Sequence, residues 1–460
     1  MKNFILHLSI AFLCVVCSLS FQYCCFITPL DPAEVKHNIS YLSSDLFKGR
    51  LPGTLENYQV VNIIKNYFKK QHLKPYNGNY LESFKVLYPK RIEGSPYLKV
   101  LDKNSFTIKQ YKYGIDYKED MLNFRGNKIS FKKSNILLEK GNSFQIHKDN
   151  KYFIFYNPED DDLNFRSSFM ANSGQSMFIM IKKQTAHEIK KYIDMGYEIS
   201  CFIPFENNQT SIYNIIGYIK GKDSNLPPLV LCAHFDHLGT DLSGKIYSGA
   251  LDNASGTSFL LGLVKYINSL GKPDRNIIIA SFNAEEFGCL GSKAFLQKYS
   301  EELKGGKVMN FDMIGSNKKI PLTIMGSKCD TKNTGFIREI ANLCLRNKVE
   351  FKYVFENSSD HEYFRAYAID AVTLSDEDMS KIHRPEDKPS YIGSQSIERC
   401  FKVTSDEIVK YAFQNNFFVL YCGRLFLLSA VGIILILKYT EKRSRMTSSK
   451  SGKNHYSSSS

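Results

Sequence analysis

The chain has 460 residues, of which 43% are hydrophobic and 23% are charged. That length and composition provide for a full core and two or three domains, and they exclude disorder of the whole chain. The 60 Lys and Arg residues exceed the 46 Asp and Glu residues, for a net charge of +14. The sequence contains no zinc-finger spacing, Arg-rich helix or aromatic RNA-binding motif, so we expect a solvated basic surface and no nucleic-acid partner.

An apolar segment occupies residues 4–21, after a lysine at position 2. This arrangement is typical of a signal peptide, and the small residues Ser18 and Ser20 suit cleavage just before Phe21. An uncleaved membrane anchor is the alternative. We predict a signal peptide over residues 1–20.

Residues 31–90 are predicted to form the N-terminal part of a catalytic domain. They are mainly helical up to residue 73, because apolar residues recur at helical spacing after the helix-start signal of Asp31 and Pro32. Residues 91–205 differ: they contain short segments rich in Tyr, Phe and Ile, and no cluster of catalytic residues. These features predict an inserted, mostly β domain.

Residues 206–413 alternate between apolar strands and amphipathic helices. The runs 229–233 and 277–282 are predominantly apolar, which is typical of strands buried on both faces. We predict an α/β fold with three layers, in which helices cover both faces of a mixed, mainly parallel sheet. In such sheets, ligands bind beyond the carboxyl ends of the strands.

A second long apolar segment covers residues 417–437, enough to cross ~30 Å of hydrocarbon as a transmembrane helix. Its only charged residue is Arg424, and a basic tail over residues 438–460 follows it. The positive-inside rule makes that tail cytoplasmic. We therefore predict a single-pass membrane protein whose catalytic domain lies on the extracytoplasmic side.

Side chains of the types that can bind metals follow the predicted strand ends. They are His234, Asp236 and His237 after one strand, Glu285 and Glu286 after another, and Asp252, Asp312 and His383 in three further segments. A single His at a strand end is more often structural, but five such segments at one sheet edge predict a site. The sequence has no HExxH helix, G-x-S-x-G elbow or phosphate loop, which argues against those three kinds of site.

The residue types in these segments point to zinc, which binds imidazole nitrogen and carboxylate oxygen. Two zinc ions ~3.5–4 Å apart need a carboxylate between them, because two dications so close repel each other. The charges balance, since two Zn²⁺ bring four positive charges while Asp252, Glu286, Asp312 and a shared hydroxide bring four negative ones. We expect two Zn²⁺ per chain.

Five motifs carry a family resemblance. They are AHFDHLG (233–239), SGALDNASG (248–256), NAEEFGCLGS (283–292), NFDMIG (310–315) and IHRPED (382–387). In this order they closely resemble the co-catalytic di-zinc aminopeptidase family, whose superfamily includes leucyl and glutamyl aminopeptidases, glutamate carboxypeptidases and the transferrin receptor. The resemblance is strong over 212–412, extends to a similar N-terminal segment at 37–54, and is weak over the insert, which resembles a degenerate protease-associated domain.

The resemblance implies a set of metal ligands. His234 and Asp312 would bind one zinc ion, Glu286 and His383 would bind the other, and Asp252 would bridge the two.

The resemblance also implies two catalytic roles. Glu285 would be the general base that takes a proton from the metal-bound water and returns it to the leaving amine. Asp236 would accept a hydrogen bond from the other ring nitrogen of His234 and fix its tautomer. Residues 359–361 resemble a pocket-lining segment of the family, in which a proline commonly stands at the position of Tyr363; that departure concerns side-chain specificity.

The implied function is that of a zinc-dependent exopeptidase, a metalloprotease that acts as an aminopeptidase and hydrolyses N-terminal residues from peptides. The alternatives are a glutaminyl-cyclase-like transferase, which needs one zinc, and a non-catalytic membrane receptor or interaction module on the same fold. A carboxypeptidase would need a cationic clamp for the substrate carboxylate, and no such cluster is evident. The expected partners are peptide substrates and, through residues 417–437, a membrane.

Overall fold

A computed structural model of the chain describes residues 2–454. Residue 1 of the predicted signal peptide and residues 455–460 of the predicted tail lie outside the described residues. The helices in the described part are α1 (Lys2–Phe26), α2 (Pro32–Leu42), α3 (Leu55–Lys70), α4 (Lys183–Asp194), α5 (Gly256–Ser269), α6 (Leu290–Tyr299), α7 (Gly335–Arg346), α8 (His361–Ala366), α9 (Ser394–Ala412) and α10 (Phe417–Asn454).

The largest sheet has nine strands. They are β1 (Lys74–Pro75), β2 (Leu81–Arg91), β12 (Phe205–Ile219), β13 (Leu229–His234), β14 (Ile277–Phe282), β15 (Lys307–Phe311), β16 (Leu322–Gly326), β17 (Phe351–Phe355) and β18 (Asp370–Ser375). Their order is β1-β12-β14-β13-β15-β18-β16-β17, and β2 also pairs with β12. The central neighbours β14, β13, β15 and β18 run parallel, whereas β12 and β16 run antiparallel to β14 and β18. The predicted mixed α/β fold is confirmed.

Helices cover both faces of this sheet because its central strands are apolar on both sides. On β13, Leu229, Leu231 and Ala233 pack into the core formed with α2, α3, α5, α7 and α9. The alternate residues Val230 and Cys232 pack against α6 and α8 on the other face. This alternation gives the three layers that the sequence predicts.

Between β2 and β12 the chain forms two smaller sheets. Their strands are β3 (Tyr97–Leu101), β4 (Thr107–Tyr111), β5 (Tyr117–Phe124), β6 (Lys128–Phe131), β7 (Ile136–Lys140), β8 (Ser143–Lys148), β9 (Lys151–Tyr156), β10 (Met177–Ile181) and β11 (Glu198–Phe202). The strand orders are β5-β10-β9-β8-β7 and β4-β3-β11-β6. The core of this insert continues into Leu238, Tyr247 and Phe287, so the insert packs directly beside the segments that carry the predicted site.

The helices α1 and α10 are both long and apolar enough to cross a membrane. They lie side by side and antiparallel, since Tyr23 stacks on Phe418 with 5.2 Å between ring centroids and Phe21 contacts Phe426 at 5.7 Å. Helix α1 continues past residue 20 to Phe26. Two such helices suggest association with a membrane, and the signal peptide stays a prediction.

Candidate metal centre

The predicted ligands come from the carboxyl ends of neighbouring strands. Strand β13 ends at His234, β14 ends just before the turn of Glu285 and Glu286, and β15 ends beside Asp312. His383 lies in the loop after β18. Because the carboxyl ends of parallel strands meet at one edge of a sheet, these side chains come together there.

One group of ligand atoms surrounds the ring of His234. Its Nε2 lies 3.4 Å from Asp312 Oδ1 and 3.6 Å from Asp252 Oδ1. Glu285 Oε2 is farther away, at 3.9 Å. The ligand atoms of His234, Glu285 and Asp312 all lie within 4.8 Å of one another.

A second group surrounds His383, whose Nε2 lies 3.3 Å from Glu286 Oε2 and 3.4 Å from Asp252 Oδ2. Asp252 therefore presents one carboxylate oxygen to each histidine. That is the arrangement expected of a carboxylate that bridges two metal ions.

The spacing of these atoms fits zinc. Tetrahedral zinc with bonds of ~2.0–2.2 Å holds its ligand atoms about 3.3–3.6 Å apart, and the contacts of His234 and His383 with the carboxylates of Asp252, Glu286 and Asp312 fall in that range. Both ring nitrogens of His234 and Oδ1 of Asp312 are buried without a hydrogen-bond partner. Buried polar atoms are normally paired, so such atoms are consistent with metal ligands.

The crowding of carboxylates shifts the pKa values of the site. Burial raises the pKa of Glu285 well above its usual range, and the charges of Asp312 and Glu286 raise it further against the lowering effect of His234. Burial lowers the pKa of His234, but the carboxylates of Glu285 and Asp312 outweigh it and hold that pKa well above its ordinary value. Carboxylates thus crowd the buried site, and either protons or bound dications would neutralise them.

The turn that carries Asp252 is held by Asp387. Its two carboxylate oxygens accept the backbone N–H groups of Leu251 and Asp252, at 2.8 and 3.0 Å. Gly249 begins this turn with φ of 56°, and a Cβ there would lie 2.3 Å from Asp252 O and 2.5 Å from the His237 ring. Only glycine fits this close approach.

Arg50 also stabilises this turn, through hydrogen bonds that no motif in the sequence predicts. It is buried and donates hydrogen bonds to the carbonyl oxygens of Leu42, Phe235, Ser248 and Gly249 at 2.7–2.9 Å. In the sequence, Arg50 is marked only by its place in segment 37–54, which resembles the N-terminal segment of the family. The segment that precedes Asp252 and the loop after β13 are therefore tied to one buried cation.

Asp236 lies beside His234, but its hydrogen bonds differ from the one predicted for it. Its Oδ1 is 3.6 Å from His234 Nδ1, which is too long for a hydrogen bond. Instead, its two oxygens accept the backbone N–H groups of Glu285 and Glu286, at 3.1 and 3.2 Å. Asp236 thereby orients the turn that carries both glutamates.

His237 is a second residue that sequence reasoning left without a role. It is fully buried, and its Nδ1 lies 2.7 Å from Glu286 Oε1. With Asp252 and Glu286 it forms another group able to hold an ion. Its position in the His-Phe-Asp-His motif, three residues after His234, is the sequence feature that could have identified it as a site residue.

In the segment 359–361, Ser359 contacts a predicted metal ligand, whereas His361 does not. Ser359 donates a hydrogen bond to Asp312 Oδ2 at 2.7 Å. His361 bonds instead to the backbone carbonyl of Glu356 and the hydroxyl of Thr373, so its ring is occupied by the protein itself. Tyr363 is not among the residues that line the cavity at the site.

A cavity of about 200 Å³ opens between the two histidine groups. Its lining combines site carboxylates with Met313, Met325, Met379 and Ile382. This volume lies below the ~300–1,000 Å³ typical of pockets for drug-sized ligands. The cavity therefore suits one small group, such as a single side chain.

Comparisons with known proteins show which proteins resemble this chain. The family described as Peptidase family M28 matches residues 214–408. Aminopeptidase YwaD of Bacillus subtilis is 25% identical over 402 residues, which cover 80% of this chain and 83% of that protein. A vacuolar membrane protease of Clavispora lusitaniae is 37% identical over 83 residues, only 18% of this chain and 8% of that protein.

Among solved structures, BSAP, a zinc aminopeptidase from Bacillus subtilis, aligns with a TM-score of 0.57 at 17% identity, over 84% of this chain and 96% of that chain. An aminopeptidase from Aneurinibacillus sp. strain AM-1 aligns with a TM-score of 0.56 at 18% identity, over 83% and 94%. These alignments support the fold. Residues 214–408 match peptidase family M28, and the predicted resemblance to the co-catalytic zinc aminopeptidases is confirmed.

Proposed function

We propose that the chain is a two-zinc aminopeptidase that hydrolyses the N-terminal residue of peptides. The observation that carries this proposal is the position of Asp252, whose two oxygens face two different histidines at distances that fit zinc ligation. The peptidase M28 domain and the relative named as an aminopeptidase support the same function.

In this proposal each residue of the site has one task. His234 and Asp312 would hold one ion, Glu286 and His383 would hold the other, and Asp252 would offer one oxygen to each. Zinc, when bound, polarises the scissile carbonyl and lowers the pKa of water toward ~7.

Glu285 carries the proton transfer. It accepts the proton of the attacking water at its carboxylate and returns it to the leaving amine. Asp236 keeps that carboxylate in place, since it accepts the backbone N–H of Glu285.

The cavity favours an aminopeptidase over a carboxypeptidase. Glu356 and Glu377 line it, and none of the described residues in its lining is Lys or Arg. Carboxylates suit the cationic amino group of a peptide N-terminus, whereas a substrate carboxylate would need a cationic clamp.

The test is hydrolysis of aminoacyl-anilides and short peptides by the detergent-solubilised full chain, with and without a chelator. We expect release of the N-terminal residue, loss of activity with chelator, and no cleavage of N-acetylated peptides. Release from the C-terminus would instead indicate a carboxypeptidase. Cyclisation of N-terminal glutamine without hydrolysis would favour the transferase alternative.

Zinc content tests the metal assignment separately. We expect about two zinc ions per chain after zinc loading, and about one in His234→Ala and in Glu286→Ala, because each change removes a ligand of one ion only. Elemental analysis of the purified proteins measures this. One zinc ion in the unmodified chain would contradict the two-ion assignment.

We also propose that α10 tethers the enzyme, with residues 206–413 on the extracytoplasmic side. Apolar residues exposed along α10 support this, among them Leu427, Leu428 and Leu435. The basic residues after residue 437 support a cytoplasmic tail.

Protease added outside intact cells is expected to digest residues 206–413 and to leave a C-terminal epitope tag protected. Permeabilised cells, in which the tag should also be lost, are the control. A digested tag with a protected catalytic domain would reverse the topology.

A further inference from the structure

Residues 163–170 of the insert cross over the candidate metal centre, and we call this segment the strap. It follows strand β9 and precedes β10, and it lies more than a hundred residues before Glu286 in the sequence. The predicted insert has no cluster of catalytic residues of its own. The contacts of the strap give it a role at the site of the other domain.

The strap is anchored both to the insert and to residues of the predicted catalytic domain. The carboxylate of Asp120 on β5 accepts both the backbone N–H and the hydroxyl of Ser167, each at 2.8 Å. Arg166 is buried, with its guanidinium 5.4 Å from the Tyr247 ring centroid, and Phe169 packs on Phe287 at 4.9 Å. These contacts hold the backbone of the strap in one position.

From this position the strap contacts Glu286 twice. The Ser168 hydroxyl donates a hydrogen bond to Glu286 Oε2 at 2.7 Å, and the backbone N–H of Phe169 donates to the Glu286 carbonyl at 2.8 Å. Oε2 is the same oxygen that lies 3.3 Å from His383 Nε2. The other oxygen, Oε1, faces His237.

The strap also contacts His383 twice. The backbone N–H of Arg166 donates to the His383 carbonyl at 3.1 Å. The Phe165 ring stacks on the imidazole with 5.7 Å between centroids and 24° between planes. Within residues 2–454, no hydrogen bond joins the strap to His234 or Asp312. All four contacts therefore fall on Glu286 and His383, the two residues assigned to one ion alone.

We infer that the strap is a positioning element for one zinc ion, the ion held by Glu286 and His383. This inference rests on the proposed two-zinc function. Groups that orient metal ligands reduce the reorganisation needed on binding, and their loss typically lowers metal affinity about 10–100-fold. The insert thus sets the affinity of one ion and leaves that of the other to the catalytic domain.

The test is a chelator-competition titration of the zinc-loaded full chain in detergent, which reads the two zinc affinities separately. We expect Ser168→Ala to lower one affinity about 10–100-fold and to leave the other unchanged. The affected ion should be the one lost in Glu286→Gln. Ser168→Thr, which keeps the hydroxyl, should restore the affinity.

The matched control is Ser173→Ala, because the Ser173 hydroxyl bonds to Gln175 in the same insert and contacts no ligand. Phe165→Leu is a second variant, which should lower the affinity for the same zinc ion. Unchanged affinities in both Ser168→Ala and Phe165→Leu, or an equal loss at both ions, would overturn the inference. An unmodified chain that binds fewer than two zinc ions would defeat the proposed function itself, and the inference with it.

Discussion

Replacement of Glu285 by glutamine is expected to lower kcat roughly 10²–10⁴-fold, the usual contribution of a positioned acid–base group. Glu285 lines the cavity, and its carboxylate is 3.9 Å from His234 Nε2, outside the spacing that fits zinc ligands. Glutamine keeps the size of the side chain but cannot accept the proton. We therefore expect normal zinc content and a nearly unchanged KM.

Steady-state kinetics on an aminoacyl-anilide, together with elemental analysis of the same sample, measures both parts of this prediction. Glu286→Gln is the control, since the adjacent glutamate is assigned to a metal ion and its loss should release zinc. If Glu285→Gln lost zinc while Glu286→Gln kept both ions, the two roles would be exchanged. Full activity in Glu285→Gln would contradict the mechanism.

Arg50→Ala is expected to lower the free energy of unfolding by about 3–5 kcal/mol, because several buried carbonyl oxygens lose a donor at about 1–3 kcal/mol each. Burial lowers the pKa of Arg50 to about 10, and the nearby carboxylates of Asp387, Asp236 and Asp252 oppose that shift, so the side chain stays charged at neutral pH. Its removal leaves four buried carbonyl oxygens without this donor and takes a buried positive charge away from the acidic site.

Thermal and denaturant unfolding of the detergent-solubilised chain measures this loss. Lys48→Ala is the matched control, because Lys48 is two residues away, 60% exposed and paired with Glu56 at the surface. It should change the free energy of unfolding far less, because a solvent-exposed ion pair contributes little to stability. Arg50→Lys should recover only part of the stability, since one ammonium cannot reproduce the fork of donors. Equal stability of Arg50→Ala and Lys48→Ala would refute the structural role of Arg50.

The candidate metal ligands could be named from the sequence because two local signals coincide. Apolar runs such as 229–233 and 277–282 predict buried parallel strands, and the strand ends of a parallel sheet lie at one edge. His234, Glu286 and Asp312 follow such runs directly. The fold class alone predicts that these three side chains lie near one another. Which ion each would bind was inferred from the family motifs.

The order of the motifs along the chain could not reveal which side chains support these ligands. Ser168 meets Glu286 across 118 positions, and Arg50 meets Ser248 across 198. No local pattern marks such pairs, because a serine or an arginine in a loop has the same sequence signature whether it is solvated or buried. The strap, the buried arginine and the contact of His237 with Glu286 were visible only in the folded chain.

The sequence by itself determined the α/β class, the resemblance to di-zinc aminopeptidases and the acid and imidazole side chains at the strand ends, since these follow from hydrophobic pattern and motif order. Only the tertiary structure decided how the two oxygens of Asp252 divide between the histidines, that Asp236 orients the glutamate turn, and that the insert reaches Glu286 and His383. These facts depend on how separate segments of the fold pack against one another. Packing brings together residues far apart in the chain, and its distances are not encoded in any single segment.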